Sequence, residues 1–250
     1  MAAGATSGGA AGGGGPPRAR SPAPEARGAT ALPAAAAGYW HRRGLHTRPG
    51  QIVAAPGAPL LLLALLAATG GPGSGVLLPR PCAAWYPPQA RLLGRPLHPV
   101  AVPAECGGVP DPVALLEAVR RARSGGDTPG VLLLSVADDP TGTAPPPELL
   151  HEVCEAATDE GLLVVSDETW RDTAHDPHDT VVVSPAEMLA DGHADSVVVL
   201  TDLGVTLLPG GPPVGLARLP ATARGRTLGT AVRRALAGLR AGLPAPDAAA

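Results

Sequence analysis

The strongest constraint on the fold of this chain is an alternation. Short apolar runs bounded by turn residues recur between stretches that carry apolar residues at helical spacing. The runs are GVLLP (75–79), LHPVAV (97–102), GVLLLSV (130–136), LLVVS (162–166) and SVVVL (196–200). Continuous apolar runs of this length, unlike alternating ones, suit strands buried on both faces. Between them, PVALLEAVRRAR (112–123) and PPELLHEVCEAATDEG (146–161) have proline near the start and glycine at or just past the end, as helices do. The pattern predicts an α/β fold, a mostly parallel sheet sandwiched by helices. A last helix-like stretch, PATARGRTLGTAVRRALAGLRAG (220–242), places Val232, Leu236 and Leu239 on one stripe. No internal repeat is visible.

Composition narrows the function classes. The formal net charge is −3, so the basic footprint of a nucleic-acid binder is missing. The longest apolar run, PLLLLALLAAT (59–69), is well short of the ~20 residues of a membrane span and predicts a buried helix. Cys82, Cys106 and Cys154 are odd in number and lack CxxC spacing, which fits a reducing cytoplasm better than a disulfide scaffold. Residues 1–38 are dominated by Ala, Gly, Pro, Ser and Arg and are expected to be a disordered tail, as are residues 243–250. The first segment also lacks the apolar stretch, roughly 7–15 residues, of a cleavable signal. All 19 basic residues are arginine, and the sequence contains no Asn and no Phe. Any mechanism that requires a lysine amine is therefore closed to these residues by themselves.

In open sheets of this class, ligands bind outside the carboxyl ends of the strands. Asp167 ends the run in VVSDETWRD (164–172), Asp138 and Asp139 follow another in VADDPTG, and Thr201 and Asp202 follow a third in VVVLTDLG. Polar groups at three strand ends outline a site. The competing reading is that each Asp caps a helix or a turn.

The order DDPTG, SDETW, TDLG…LLPGGPPVG resembles the fold-type I pyridoxal-phosphate aminotransferases of class I/II, over roughly residues 39–218. QIVAAPGAPLLLLALL is similar to the family's strand-turn-helix that holds the cofactor phosphate, and the following segment to its next βαβ unit. The resemblance implies the large-domain fold, with 219–242 as a C-terminal helix and the small substrate-binding domain missing after it. It implies pyridoxal phosphate as cofactor, held at Asp167 (to the pyridine nitrogen), Trp170 and Asp139 (near the phenolate oxygen), Thr201 (a phosphate-binding hydroxyl) and Ala58 (in the phosphate loop). Matched residue by residue, the pattern is altered. The Schiff-base lysine falls on Gly204, the phosphate-gripping arginine on Pro212, and the stacking aromatic on Ala83, with Trp85 close by. Trp170 stands for a tyrosine, Asp139 for an asparagine, and Pro59 has no backbone N–H to offer the loop. No catalytic residue is carried over.

Other candidates are weaker. HDPHD (175–179) brings His175 and His178 close to Asp176 and Asp179, but a metal would need a further rigid ligand, and a solvated turn is the plainer reading. His151 is expected on a helix surface, and GGPGSG (70–75) lacks the lysine and spacing of a P-loop. Three functions remain open. The chain is a catalytically inactive aminotransferase-like domain with a structural or partner-binding role, as a homodimer or paired with an intact paralogue. Alternatively it holds pyridoxal phosphate non-covalently with residual activity, or it is a non-cofactor binding module or an eroded gene product. No nucleic-acid or membrane partner is expected.

Overall fold

A computed structural model describes Met1 and residues 24–173, 181–206 and 210–243. The chain begins with α1 (Pro24–Arg42), β1 (Ile52–Ala55), α2 (Ala58–Thr69), β2 (Val76–Arg80), α3 (Tyr86–Leu92) and β3 (Leu97–Ala101). It continues with α4 (Pro112–Ser124), β4 (Val131–Ser135), α5 (Pro147–Asp159), β5 (Leu163–Asp167), the short α6 (Pro185–Met188) and α7 (Asp191–Ala194), β6 (Val197–Asp202), α8 (Leu203–Thr206), β7 (Gly215–Arg218) and α9 (Ala223–Gly238). The strands form one seven-stranded sheet in the order β1-β7-β6-β5-β4-β2-β3. All neighbours are parallel except β7, which is antiparallel to both β1 and β6. The expected sandwich of helices around a mostly parallel sheet is present.

The two-residue period of the strands sorts the core. Val131 and Leu133 of β4, Leu163 and Val165 of β5, and Val198 and Leu200 of β6 pack with α2 and α9. Leu132, Leu134, Val164 and Val197, one residue out of phase, pack with α4 and α5. This two-sided burial is why the runs read as unbroken apolar segments. Helix α2 is apolar nearly all round because it lies between the sheet and α9: Ala58, Leu61, Leu62, Ala64, Leu65 and Leu66 are all buried. No described helix is long and apolar enough to cross a membrane.

The tail boundary expected at residue 38 falls inside α1 and is corrected. Ala36, Ala37 and Trp40 are buried, and Ala36 and Trp40 pack with Leu45, Ile52, Val199 and Leu216. Small alanines next to one large ring make a flush contact with little periodic signal, although alanine itself favours helix. Tyr39 of the same helix and Arg43, just past its end, tie it to Asp172, beyond β5, through the Tyr39 hydroxyl at 2.6 Å and the Arg43 guanidinium. Residues 2–23 and the HDPHD stretch lie outside the described residues. At the other end, α9 packs against α2 within the same core, and of the expected stripe Val232 and Leu236 are buried whereas Leu239 is exposed at the helix end. Strand β7 has no counterpart among the expected runs. It is four residues long and ends in Arg218, whose Nε donates to Thr47 Oγ1 at 2.9 Å.

The outer strands have particular chemistry. Pro99 lies in β3, and Arg233 of α9 donates to the carbonyls of Gly50 and Ile52, each at 2.9 Å, beside β1.

Trp40→Ala should lower stability by about 3–5 kcal/mol, the usual cost of deleting a buried aromatic. Urea denaturation measures this, and an unchanged midpoint would mean that α1 lies outside the cooperative unit.

Candidate functional site

Register brings the expected polar groups to one edge. Ser135 pairs with Asp167, Asp167 pairs with Leu200, and Thr201 with Leu216. The carboxyl ends of β4, β5 and β6 therefore lie side by side. Strand β1 is antiparallel to β7, as β6 is, so the loop that leads into α2 opens on this same edge.

Asp167 is buried at the end of β5. Its Oδ1 accepts the Thr169 N–H at 3.0 Å and its Oδ2 accepts the Tyr86 hydroxyl at 2.6 Å. Burial raises the Asp167 carboxyl above the usual carboxylate range; the hydrogen bonds from Thr169 and Tyr86 pull it down, and the charge of Asp139 pushes it up. Tyr86 is buried too, its ring edge-on to Trp85 with centroids 4.5 Å apart. Burial first, then the charge of Asp167, hold its phenol well above the ordinary value. Sequence reasoning did not single out Tyr86; the WYPP stretch just after the cis Arg80–Pro81 bond was the available signal.

The other candidates divide. Asp139 is exposed, whereas its neighbour Asp138 is buried and accepts the Thr141 hydroxyl at 2.6 Å inside a tight turn. Burial raises the Asp138 carboxyl as well. For Asp138, the turn-capping reading describes what is seen. Trp170 is half-buried, Thr201 is buried, and Ala83 is buried where an aromatic was expected. Behind them, Glu168 accepts from Ser184 Oγ and from Arg171 at 2.9 Å, and Arg171 also reaches Glu187 at 2.9 Å. This buried network holds the residues that follow β5. His193, in α7 before β6, bonds Thr158 Oγ1 at 2.6 Å and lies at the opposite end of the strand from the site. Among the described residues no group of His, Cys, Asp and Glu is placed to hold a metal ion.

The sharpest departure is at Ala58. Its N–H, expected to face a cofactor phosphate, donates instead to Asp202 Oδ2 at 2.7 Å. Asp202 Oδ1 accepts the Gly204 N–H at 2.9 Å, and the Asp202 N–H donates to Thr169 Oγ1 at 3.1 Å. Asp202, five per cent exposed, thus joins the ends of β5 and β6 to the start of α2. Pyridoxal phosphate does not fit these residues as the resemblance implies. Asp167 suits the pyridine nitrogen, but a carboxylate stands in the phosphate loop, residue 212 brings no cation and residue 204 no amine.

Comparison with known proteins agrees with the geometry of the sheet. The family profile described as aminotransferase class I and II matches residues 17–242. A Petunia hybrida bifunctional aspartate aminotransferase and glutamate/aspartate-prephenate aminotransferase is 33% identical over 137 residues, 54% of this chain and 27% of that protein. A histidinol-phosphate aminotransferase of Frankia casuarinae is 34% identical over 126 residues, 50% of this chain and 30% of that protein. Among solved structures, an aspartate aminotransferase from Thermus thermophilus with maleate superposes with a TM-score of 0.70 at 23% identity, covering 88% of this chain and 52% of that one. An aromatic aminotransferase from Pyrococcus horikoshii gives 0.72 at 21% identity, covering 85% and 54%. The chain spans about a third of the curated relatives it matches and about half of the solved ones.

Two substitutions test the buried pair. The Asp167 carboxyl is raised above its ordinary 3.8 in the folded chain, so its stabilising contribution is complete below that pH and is lost as pH rises through the folded value. Asp167→Asn should therefore be more stable than the parent at pH 7, with the gain vanishing in acid. Tyr86→Phe, which strips a hydrogen bond from a buried carboxylate, should cost about 1–3 kcal/mol at neutral pH. Urea midpoints across the pH range check both signs.

Proposed function

The chain belongs to the aminotransferase class I and II family, and from that premise we propose that it is a catalytically inactive member with a structural or partner-binding role. One observation carries this reading: residue 204 is glycine, and none of the 250 residues is lysine. Family catalysis, as the resemblance implies it, asks one lysine amine both to tether the cofactor and to move a proton. Arginine keeps its proton and replaces neither role. Thr201, Trp170, Asp139 and Ala58 are the remaining residues proposed to face the cofactor region, with Asp167 as its best-matched contact. The partner would be a second copy or an intact, lysine-bearing paralogue. A reducing compartment such as the cytoplasm suits the free thiols of Cys82, Cys106 and Cys154.

The test is a coupled assay with pyridoxal phosphate, 2-oxoglutarate and a panel of amino acids, alongside borohydride trapping. No turnover above the free-cofactor background is expected, since loss of such a group costs roughly several powers of ten in rate. Turnover by protein free of any lysine-bearing partner would overturn the reading. Saturable binding without a trapped adduct would instead support the non-covalent holder, for which Asp167 supplies the matched contact. Gly204→Lys alone should remain inactive. A Cβ at 204 would lie 3.0 Å from Pro213 Cα and 3.3 Å from Asp202 Oδ1, so the new side chain starts crowded against backbone and beside a carboxylate that competes for its ammonium.

A further inference from the structure

We propose that Asp202 is a built-in occupant of the anion cup at the amino end of α2, an intramolecular contact that places the chain's own carboxylate where the family fold receives a phosphate. The inference rests on reading Gly57, Ala58 and Pro59 as the counterpart of that cup; it does not depend on whether the protein turns over substrate.

Three independent features converge on it. First, the amino end of a helix presents unpaired N–H groups and a partial positive charge, and favours an anion. Helix α2 is 12 residues long and Pro59 removes one donor from its first turn, which leaves Ala58 N–H as the donor nearest the loop. Asp202 Oδ2 takes that donor at 2.7 Å while Oδ1 takes Gly204 N–H at 2.9 Å, so both carboxylate oxygens are engaged. Second, the walls are closed around the carboxylate. A Cβ at Gly57, where φ is +87°, would lie 3.4 Å from Asp202 Oδ2 and 3.7 Å from Pro213 Cβ. A Cβ at Gly215 would fall 2.4 Å from the Gly57 carbonyl carbon and 2.5 Å from Ala58 N, so the β7 backbone abuts the cup directly. Third, the charge has changed sign. Residue 212 is proline where the resemblance expects arginine. A phosphate entering here would meet a buried carboxylate, with no arginine at residue 212 to compensate it, and like charges in a buried site disfavour each other strongly. Entry of a phosphate requires Asp202 to leave, and its departure gives up both hydrogen bonds.

The experiment follows the Ala58 amide by NMR hydrogen exchange in the full chain, with inorganic phosphate as the probe. In the parent protein, millimolar phosphate should leave Ala58 unchanged. In Asp202→Ala, Ala58 exchange should accelerate about ten-fold or more, as loss of a charge-assisted hydrogen bond predicts, and millimolar phosphate should restore protection. Asp202→Asn, which keeps the volume and an acceptor but drops the charge, serves if the alanine variant does not fold; there phosphate should shift the Ala58 amide resonance, whereas in the parent it should not. Phosphate protecting Ala58 in the parent would overturn the proposal. So would exchange at Ala58 indifferent to Asp202→Ala, or a failure of phosphate to act on the variant that folds. Because the readout is an amide and not a rate, activity in the coupled assay would sink the inactive reading and leave this one standing.

Discussion

Helix α2 sets the terms for the rest of the molecule. It is buried on nearly every side, between a seven-stranded sheet and α9, and a buried helix cannot leave its first N–H groups unsatisfied. Most helices solve this at the surface with water or a local cap. The N-cap of α2 is Gly57, which has no side chain to accept a hydrogen bond. The acceptor comes instead from Asp202, 144 positions away in sequence. That one carboxylate couples the start of α2 to the end of β6, and through Thr169 to the end of β5. The edge of the sheet is thereby held together from within.

The two buried aspartates on this edge are satisfied in different ways. Asp167 has one backbone and one side-chain donor, and burial still outweighs them, so its carboxyl is raised. Asp202 has two backbone donors, one of them at a helix amino end. A site that receives a charged ligand supplies donors that wait for it. Here the Ala58 and Gly204 amides are taken by Asp202 and the Tyr86 hydroxyl by Asp167, so these polar groups point at each other.

Much of this was legible in sequence. Strands β2 to β6 were visible because two-faced burial demands unbroken apolar runs, and α4 and α5 because proline and glycine mark their ends. Asp167, Thr201 and Asp202 could be placed at strand ends from the same pattern. What escaped depended on distant partners. Nothing local to Tyr86 says that its hydroxyl will meet a carboxylate 81 positions on, and the cap reading of Asp202 did not name a helix so far upstream. Helix α1 was hidden for a different reason. Its buried side chains include alanines, whose packing leaves little amphipathic contrast against an alanine-rich background. Strand β7 was lost to brevity and to the arginine at its end.

The outer strands have a consequence for how such a chain can meet another. Pro99 in β3 has no N–H to donate, and it interrupts the ladder that an incoming strand would need at that margin. At the far margin, Arg233 already occupies the carbonyls of Gly50 and Ile52. Both margins thus carry a feature that opposes edge-to-edge pairing with another strand. Were the chain to meet a second copy or a different subunit, the helical and loop faces would offer side-chain shape and charge to choose the companion without displacing these edge groups.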